Sequence, residues 1–357
     1  MEKVVVAADE PSDSPALPQE RASVRRYITK QVLIYLFTLW AAITLTFFTF
    51  RLVPGDPMRI YFGQLSRTQG QVTAEEAEAI ITYYREQFGL DEPLHVQYLV
   101  FLRNIVSGFD LGPSFLAYPT PTRDLILQHL PWTVGLVTTS ILIAWVIGTS
   151  IGSLLAWLRR SRFVNLAVML ATLIQTIPVY LIALGLIIYV GYELRLLPAR
   201  GPYAAHLQPA FTWEFISSVI THAALPMLSL VVVYGAGFTL GMRSLMVSVL
   251  GEDYLTYAKA KGLRSRTVLK NYAFRNALIP QVAGLAIILG ASLNGAFIIE
   301  VLYVYPGIGS LFVKAMGVRD FNVMQGIVVF SIFTILTLTL IVDLALPLLD
   351  PRIKRAA

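Results

Sequence analysis

Few side chains in this chain could do bond-making chemistry, and their spacing argues against most of it. The four histidines, His95, His129, His206 and His222, have no metal-ligand spacing, and no HExxH occurs. Cysteine is absent, which removes thiolate, disulfide and Cys-ligated metal chemistry. No Ser/His/Asp set can be nominated. No GxxxxGK[ST] phosphate loop occurs, so the chain should not bind or hydrolyse ATP itself. What stands out instead is Gly251 to Val282, GEDYLTYAKAKGLRSRTVLKNYAFRNALIPQV, a basic, helix-prone stretch in an otherwise apolar chain. Its chemistry is that of recognition.

Glu252–Lys261 is rich in Ala, Lys, Glu and Tyr, which favours a short helix. Gly262 is placed to end it, because a residue without Cβ takes positive φ freely. A second helix is expected at about Ser265–Ala277, carrying Arg266, Lys270 and Arg275, before Leu278-Ile279-Pro280 re-enters the membrane. Ala258 and Ala260 permit close backbone approach, as in a ball pressed into a partner's groove. An amphipathic helix lying at the bilayer interface explains the same residues. Composition alone leaves both readings open.

The elements that must position this stretch are membrane helices. Of 357 residues, 56% are hydrophobic and only 14% charged, against about 25% charged in soluble domains. Six apolar runs are long enough to cross a bilayer, which takes about 20 helical residues. They are about Gln31–Phe50, Pro131–Trp157, Phe163–Val190, Ser218–Met242, Ile279–Tyr303 and Gln325–Pro347. A β-barrel would show short alternating segments. The net charge of +6 lies in loops flanking these runs and is not a nucleic-acid signal. The first run starts too late and is too long for a signal peptide, and Met1–Ala22 reads as a disordered polar tail.

Cytoplasmic loops carry excess Lys and Arg. With the N-terminus inside, the inner segments hold 18 and the outer ones 10, of which 6 lie in the long first outer segment and count for little. The expected organisation is a cytoplasmic tail (1–30), a first span (31–50) and an extracytoplasmic insert (51–130). A five-span core (131–347) follows, with a cytoplasmic loop at 243–278, and then a cytoplasmic C-terminus (348–357). Within the insert, Thr73–Phe88 and Val96–Val106 are expected to be helical and Phe109–Pro113 a turn.

Glu193, Arg243, Glu300 and Asp343 fall near span ends, within expected reach of water or headgroups. Gln175, Thr176, Ser292 and Asn294 are the more central polar groups. With Glu300 they form a candidate lining for a solute path, although helix–helix hydrogen bonds account for each one singly. Pro178 and Pro226 should kink spans three and four. Gly148–Gly152 and Gly237–Gly241 have the spacing of close helix crossings.

The 251–282 stretch resembles the Glu-Ala-Ala loop of ABC-importer permeases. Ala258 matches the motif's second Ala, Gly262 its Gly, and Leu278 and Pro280 its closing element. Thr256 and Tyr257 stand where the general pattern has Glu and Ala, and the Gly-to-Pro spacing is longer than in the sugar-importer version. Both departures are those of the dipeptide/oligopeptide branch. Its wording is matched by Asp253-Tyr254, Ala258, Ala260-Lys261-Gly262-Leu263 and Arg275-Asn276-Ala277-Leu278-Ile279-Pro280. Leu52-Val53-Pro54-Gly55-Asp56-Pro57, Phe88–Pro93, Gln97-Tyr98, Asp110-Leu111-Gly112, His222 with Leu225-Pro226, Glu300 with Pro306-Gly307 and Gly309, and Asp343 with Asp350-Pro351-Arg352 resemble the same branch in order along the chain.

The resemblance implies an all-α type I ABC-importer permease fold with six spans, both ends inside, in the plasma membrane of a prokaryote. It implies four kinds of partner: a second similar permease, two cytoplasmic ATPases, an extracytoplasmic solute-binding protein and the lipid bilayer. The helix holding Asp253, Tyr254, Ala258, Ala260, Lys261 and Gly262, with Arg275, Asn276 and Pro280, would couple ATP-driven closure to the switching of the spans. No cofactor is implied for this subunit, and the solute could be a peptide, a nickel complex or an oligosaccharide. A stand-alone secondary transporter or channel would need an ion-coupling residue deep in a span. An intramembrane enzyme would need clustered catalytic side chains. Neither pattern is visible in the sequence.

Overall fold

The computed structural model describes residues 18–52, 82, 91–159, 161–292 and 296–349. Among these, helices are the regular elements, and Pro113 and Pro121 form an isolated bridge. We number the helices α1 (Pro18–Leu52), α2 (Leu94–Gly108), α3 (Thr122–Trp157), α4 (Arg162–Thr176), α5 (Val179–Leu186), α6 (Trp213–Val249), α7 (Asp253–Ala260), α8 (Ser265–Thr267), α9 (Arg275–Ser292), α10 (Phe297–Leu302), α11 (Ile308–Val318) and α12 (Phe321–Leu349). Five of the described helical segments are long and apolar enough to cross a membrane, and the bent pair of α4 with Val179–Glu193, α5 and the π-helical turns Ile187–Glu193 that continue it, makes a sixth if counted as one span.

α3 and α6 are the axis of the bundle. Their 36 and 37 residues, at 1.5 Å each, give lengths of about 55 Å, well beyond the roughly 30 Å hydrocarbon core. They lie against each other along their length because Gly148 and Gly152 leave room. A Cβ on Gly148 would stand 2.6 Å from the Gly235 carbonyl oxygen and from Phe238 Cβ, and one on Gly152 would stand 2.9 Å from Met242 Cβ. The Gly237–Gly241 pair has no part in this crossing. Those glycines lie about 200° and about 240° round α6 from Gly235 at 100° per residue, facing Gln175 and Gln281.

Four apolar clusters are strung along α3. Leu125 and Ile126 join Leu111, Ile308, Leu311 and Ile327 at one end. Leu136 meets Leu225, Ile299 and Tyr303, and Val137, Ile141 and Ala144 meet Phe238. At the far end, Ala156 joins Met242, Met246, Leu255, Ala258 and Val268. α1 lies beside α12, where the Tyr35 hydroxyl and Thr337 Oγ1 are 3.0 Å apart. α2 closes on the end of α1 through Phe47 with Tyr98 and Phe101, ring centroids 5.4 and 5.2 Å apart.

Several expectations change. The third span is not a kinked rod but two helices bent by 97°. Pro178 has no N–H to donate and pushes Ile177 out of the helical region, to φ −75°, ψ 126°. Pro226, by contrast, sits inside an unbroken α6. The second loop helix does not stop at Ala277. α8 passes through a π-helical segment, Val268–Phe274, straight into α9 with Pro280 inside it. The expected fifth span is described as α9 to Ser292 and, on the far side of residues 293–295, which lie outside the described residues, as the short helix Phe297–Leu302. Pro18–Ala22, expected to belong to the disordered tail, is part of α1. The expected Val96–Val106 helix is α2, ended by Phe109 in the left-handed conformation at the expected turn. The expected Thr73–Phe88 helix lies outside the described residues.

Candidate functional site

α7 and the start of α9 build a knob where α3 and α6 end. α7 carries Asp253 in its first turn, which suits the positive end of the helix dipole. Its other end is a full Schellman cap. Gly262 has φ +74° and donates its N–H to the Lys259 carbonyl at 2.9 Å, while Leu263 donates to the Ala258 carbonyl at 3.3 Å. Leu255 and Ala258 are buried in the cluster with Ala156, Met242 and Met246. The knob therefore has its own apolar core, fused to the ends of the two longest helices.

This orientation differs from the ball pressed outward by Ala258. Ala258 faces the protein interior, and the exposed side of α7 is Asp253, Tyr254, Thr256, Tyr257, Lys259 and Ala260, continued by Lys261 and Gly262. Tyr257 is 71% exposed. Arg275, Asn276 and Pro280 are exposed on the helix that leaves the knob. Tyr254 and Asn276 meet: the Asn276 amide donates to the Tyr254 hydroxyl at 2.8 Å, tying α7 to α9. Pro280 leaves the Asn276 carbonyl without its helical donor.

The candidate path residues separate. Glu300 does not reach water; it is fully buried. Thr133 donates its hydroxyl to Glu300 Oε1 at 2.6 Å. Gly309 and Ser310 donate backbone N–H groups to Oε2 at 2.6 and 3.3 Å. The Ile308 N–H donates to Thr133 Oγ1 at 2.8 Å. The first three N–H groups of α11, which have no partner within the helix, are thus all satisfied by Glu300 and Thr133. Gly307 fits because any Cβ there would strike the Glu300 carboxylate. Thr176 spends its hydroxyl on the Leu173 carbonyl at 2.8 Å, where α4 ends. Gln175 lies against Gly237 of α6. Ser292 is the last residue of α9, and Asn294 lies outside the described residues.

Sequence reasoning missed a second buried carboxylate, Asp320. It precedes α12 and accepts from the Val323 N–H at 3.1 Å, as an N-cap does. Its other oxygen accepts from the Ser114 hydroxyl at 2.6 Å and the Leu116 N–H at 2.9 Å. Asn322 adds a bond to the Pro113 carbonyl at 3.0 Å. The segment after α2 is thereby clasped to the α11–α12 corner. An Asp directly before an apolar run is an N-cap signal and could have been read from the sequence. Its partners 204 to 206 residues away could not.

The helices and the polar knob are those of a multi-pass membrane protein, and its relatives give the class. The chain matches the family of binding-protein-dependent transport system inner membrane components over residues 148–355, and that family's N-terminal membrane component over residues 23–137. It is 35% identical over 330 residues to a dipeptide transport system permease protein of Bacillus subtilis, covering 92% of this chain and 98% of that one. It is 31% identical over 329 residues to an oligopeptide transport system permease protein of the same organism, covering 92% and 99%. It is likewise 31% identical over 328 residues to a glutathione transport system permease protein of Pectobacterium atrosepticum, covering 92% and 98%. The chain belongs to the family of binding-protein-dependent transport system inner membrane components. It is a multi-pass membrane subunit of an ABC importer and not an enzyme; ATP hydrolysis falls to partner subunits.

Proposed function

We propose that this subunit forms half of the path by which an ATP-driven importer takes up a small peptide-like solute, with the α7 knob as its seat on a cytoplasmic ATPase. The observation that carries this reading is the build of the knob. α7 is short, ended by a Schellman cap, anchored inward by Leu255 and Ala258, and exposes Tyr257 on its far side. A rigid aromatic anchor on a preorganised helix is what a strong protein contact uses. Because α7 shares its core with α3 and α6, force applied to it reaches two spans directly.

The excess of Lys and Arg supports a cytoplasmic position for the knob. The relatives named for dipeptide, oligopeptide and glutathione transport support a peptide solute. A second permease, two ATPases and an extracytoplasmic binding protein complete the assembly. ATP is bound by the ATPases, and no cofactor sits in this subunit.

The test is affinity purification of the subunit from detergent-solubilised membranes, with mass spectrometry of its companions. The wild-type chain should bring a second permease and ATPases. Gly262→Pro, Ala258→Glu and Tyr257→Ala should lose the ATPases and solute uptake while the subunit stays inserted. If all three variants keep uptake, the coupling role is wrong. Recovery of an active oligomer of this chain alone would make it a stand-alone transporter.

A further inference from the structure

The turn between α3 and α4 concentrates positive charge that nothing described in the chain answers. It reads Arg159-Arg160-Ser161-Arg162. Arg159 and Arg162 are exposed, and among the described residues neither has an ion-pair or hydrogen-bond partner. Arg160 lies outside the described residues. Arg159 follows the end of α3, where the helix dipole favours a cation. Arg162 has no such benefit. It is the first residue of α4, whose opening turn holds no acidic side chain, and the dipole there opposes a cation. Three like charges within four residues also repel one another. An anion seated against them removes both penalties.

The chain beyond the turn says what carries the anion. Phe163 is 83% exposed, and Leu166, Leu170 and Leu173 are exposed with it, at spacings that put all four on one side of α4. Val164 and Ala171, on another side, are buried. From Phe163 to Leu173 the stripe runs ten residues, about 15 Å at 1.5 Å each, half of the roughly 30 Å hydrocarbon core. It is thus about one leaflet deep, with the arginines at its open end. A phospholipid has the same order: an anionic phosphate, then one leaflet of hydrocarbon. The general excess of Lys and Arg that orients membrane spans asks only for charge, and not for an apolar stripe that begins at the next residue.

We propose that Arg159 and Arg162 hold the phosphate of an anionic phospholipid whose acyl chain lies along Phe163, Leu166, Leu170 and Leu173. Guanidinium groups suit phosphate oxygens because they are planar, always charged and donate in pairs. A basic side chain at the headgroup layer gains about fivefold in affinity for anionic lipid. The site is tied to the knob, because Ala156 and Trp157, just before the turn, belong to the cluster that buries Leu255 and Ala258. A lipid seated here braces the foot of the knob from the membrane side.

The test is native mass spectrometry of the assembled transporter in detergent, titrated with long-chain phosphatidylglycerol or with phosphatidylcholine of the same chains. The wild type should retain phosphatidylglycerol at least about tenfold more tightly. Arg159→Gln with Arg162→Gln should weaken that retention about 25-fold and leave phosphatidylcholine unchanged. Arg26→Gln with Lys30→Gln, on α1 where both are exposed, removes the same charge and should leave the tight site intact. Equal loss from the two pairs would make the effect one of net charge and overturn the proposal. Phe163→Ala with Leu170→Ala should weaken retention at least about threefold. Unchanged lipid with loss of the second permease would make the stripe a subunit contact, and unchanged lipid with the permease kept would leave the stripe without a part; either overturns the proposal. Inorganic phosphate at the lipid's concentration should not displace it; displacement would reduce the turn to an anion site and also overturn it. The double arginine variant should keep its ATPases. Their loss with lipid retention unchanged would assign the arginines to the ATPase contact instead. Lipid retention is read independently of ATPase recovery, so failure here and failure of the coupling role are distinguishable.

Discussion

Glu300 and Gly307 show how one residue's fit depends on another's charge. The carboxylate answers two N–H groups of α11 and the Thr133 hydroxyl, and Gly307 is small because that carboxylate occupies the space. Removing it by Glu300→Ala leaves a buried hydroxyl and two backbone donors unanswered, at about 2–4 kcal/mol. Glu300→Gln keeps the shape but presents an amide to donors, so it should recover less than half of that loss. Thermal unfolding of the detergent-solubilised chain checks the order wild type, Gln, Ala. Gly307→Ala should match Glu300→Ala in severity although it removes no hydrogen bond. Equal stability of Gly307→Ala and wild type would show that the carboxylate is free to move.

At the scale of elements, the crossing of α3 and α6 depends on two glycines. Gly148→Leu or Gly152→Leu should force the helices apart and destabilise the bundle by about 1–3 kcal/mol or more, the usual range for overpacking. Gly135→Ala and Gly185→Ala, where nothing lies within 4 Å of the added Cβ, should be tolerated. The same unfolding assay separates the pairs. The two GxxxG spacings look alike in the sequence, yet the first is where α3 crosses α6 and the second faces Gln175 of α4 and Gln281 of α9. Spacing records that two small residues share a face, and it does not record which neighbour that face meets. In the third span Pro178 was legible as a kink, but the 97° turn depends on what packs around the freed ends.

At the scale of the molecule, the chain closes by a few distant polar contacts. Asp320 joins the segment after α2 to the α11–α12 corner, and Asn322 doubles the bond. Asp320→Ala loses an N-cap as well as two long-range bonds, costing about 2–3 kcal/mol. The larger effect should be local: limited proteolysis should cut residues 109–121 in the variant well before the wild type. Unchanged cleavage there would mean that the apolar contacts of Leu111 and Phe115 suffice. The knob lies at the other end of α3, so ATPase recovery should be unaffected by this variant.

The span count, the bilayer location, the loop helix α7 and its stop at Gly262 followed from the sequence alone. They rest on hydrophobic length, charge asymmetry and backbone freedom, which are local properties of a chain. The family followed from the wording of Asp253–Leu263 and Arg275–Pro280. Only the tertiary structure decided that Ala258 faces inward, that Tyr254 bonds Asn276, that Glu300 is a buried cap, and that Gly237–Gly241 faces two glutamines and not α3. Each of these turns on which helix lies beside which, and helix neighbours are set by the packing of residues far apart in the chain, a long-range property that local pattern does not carry.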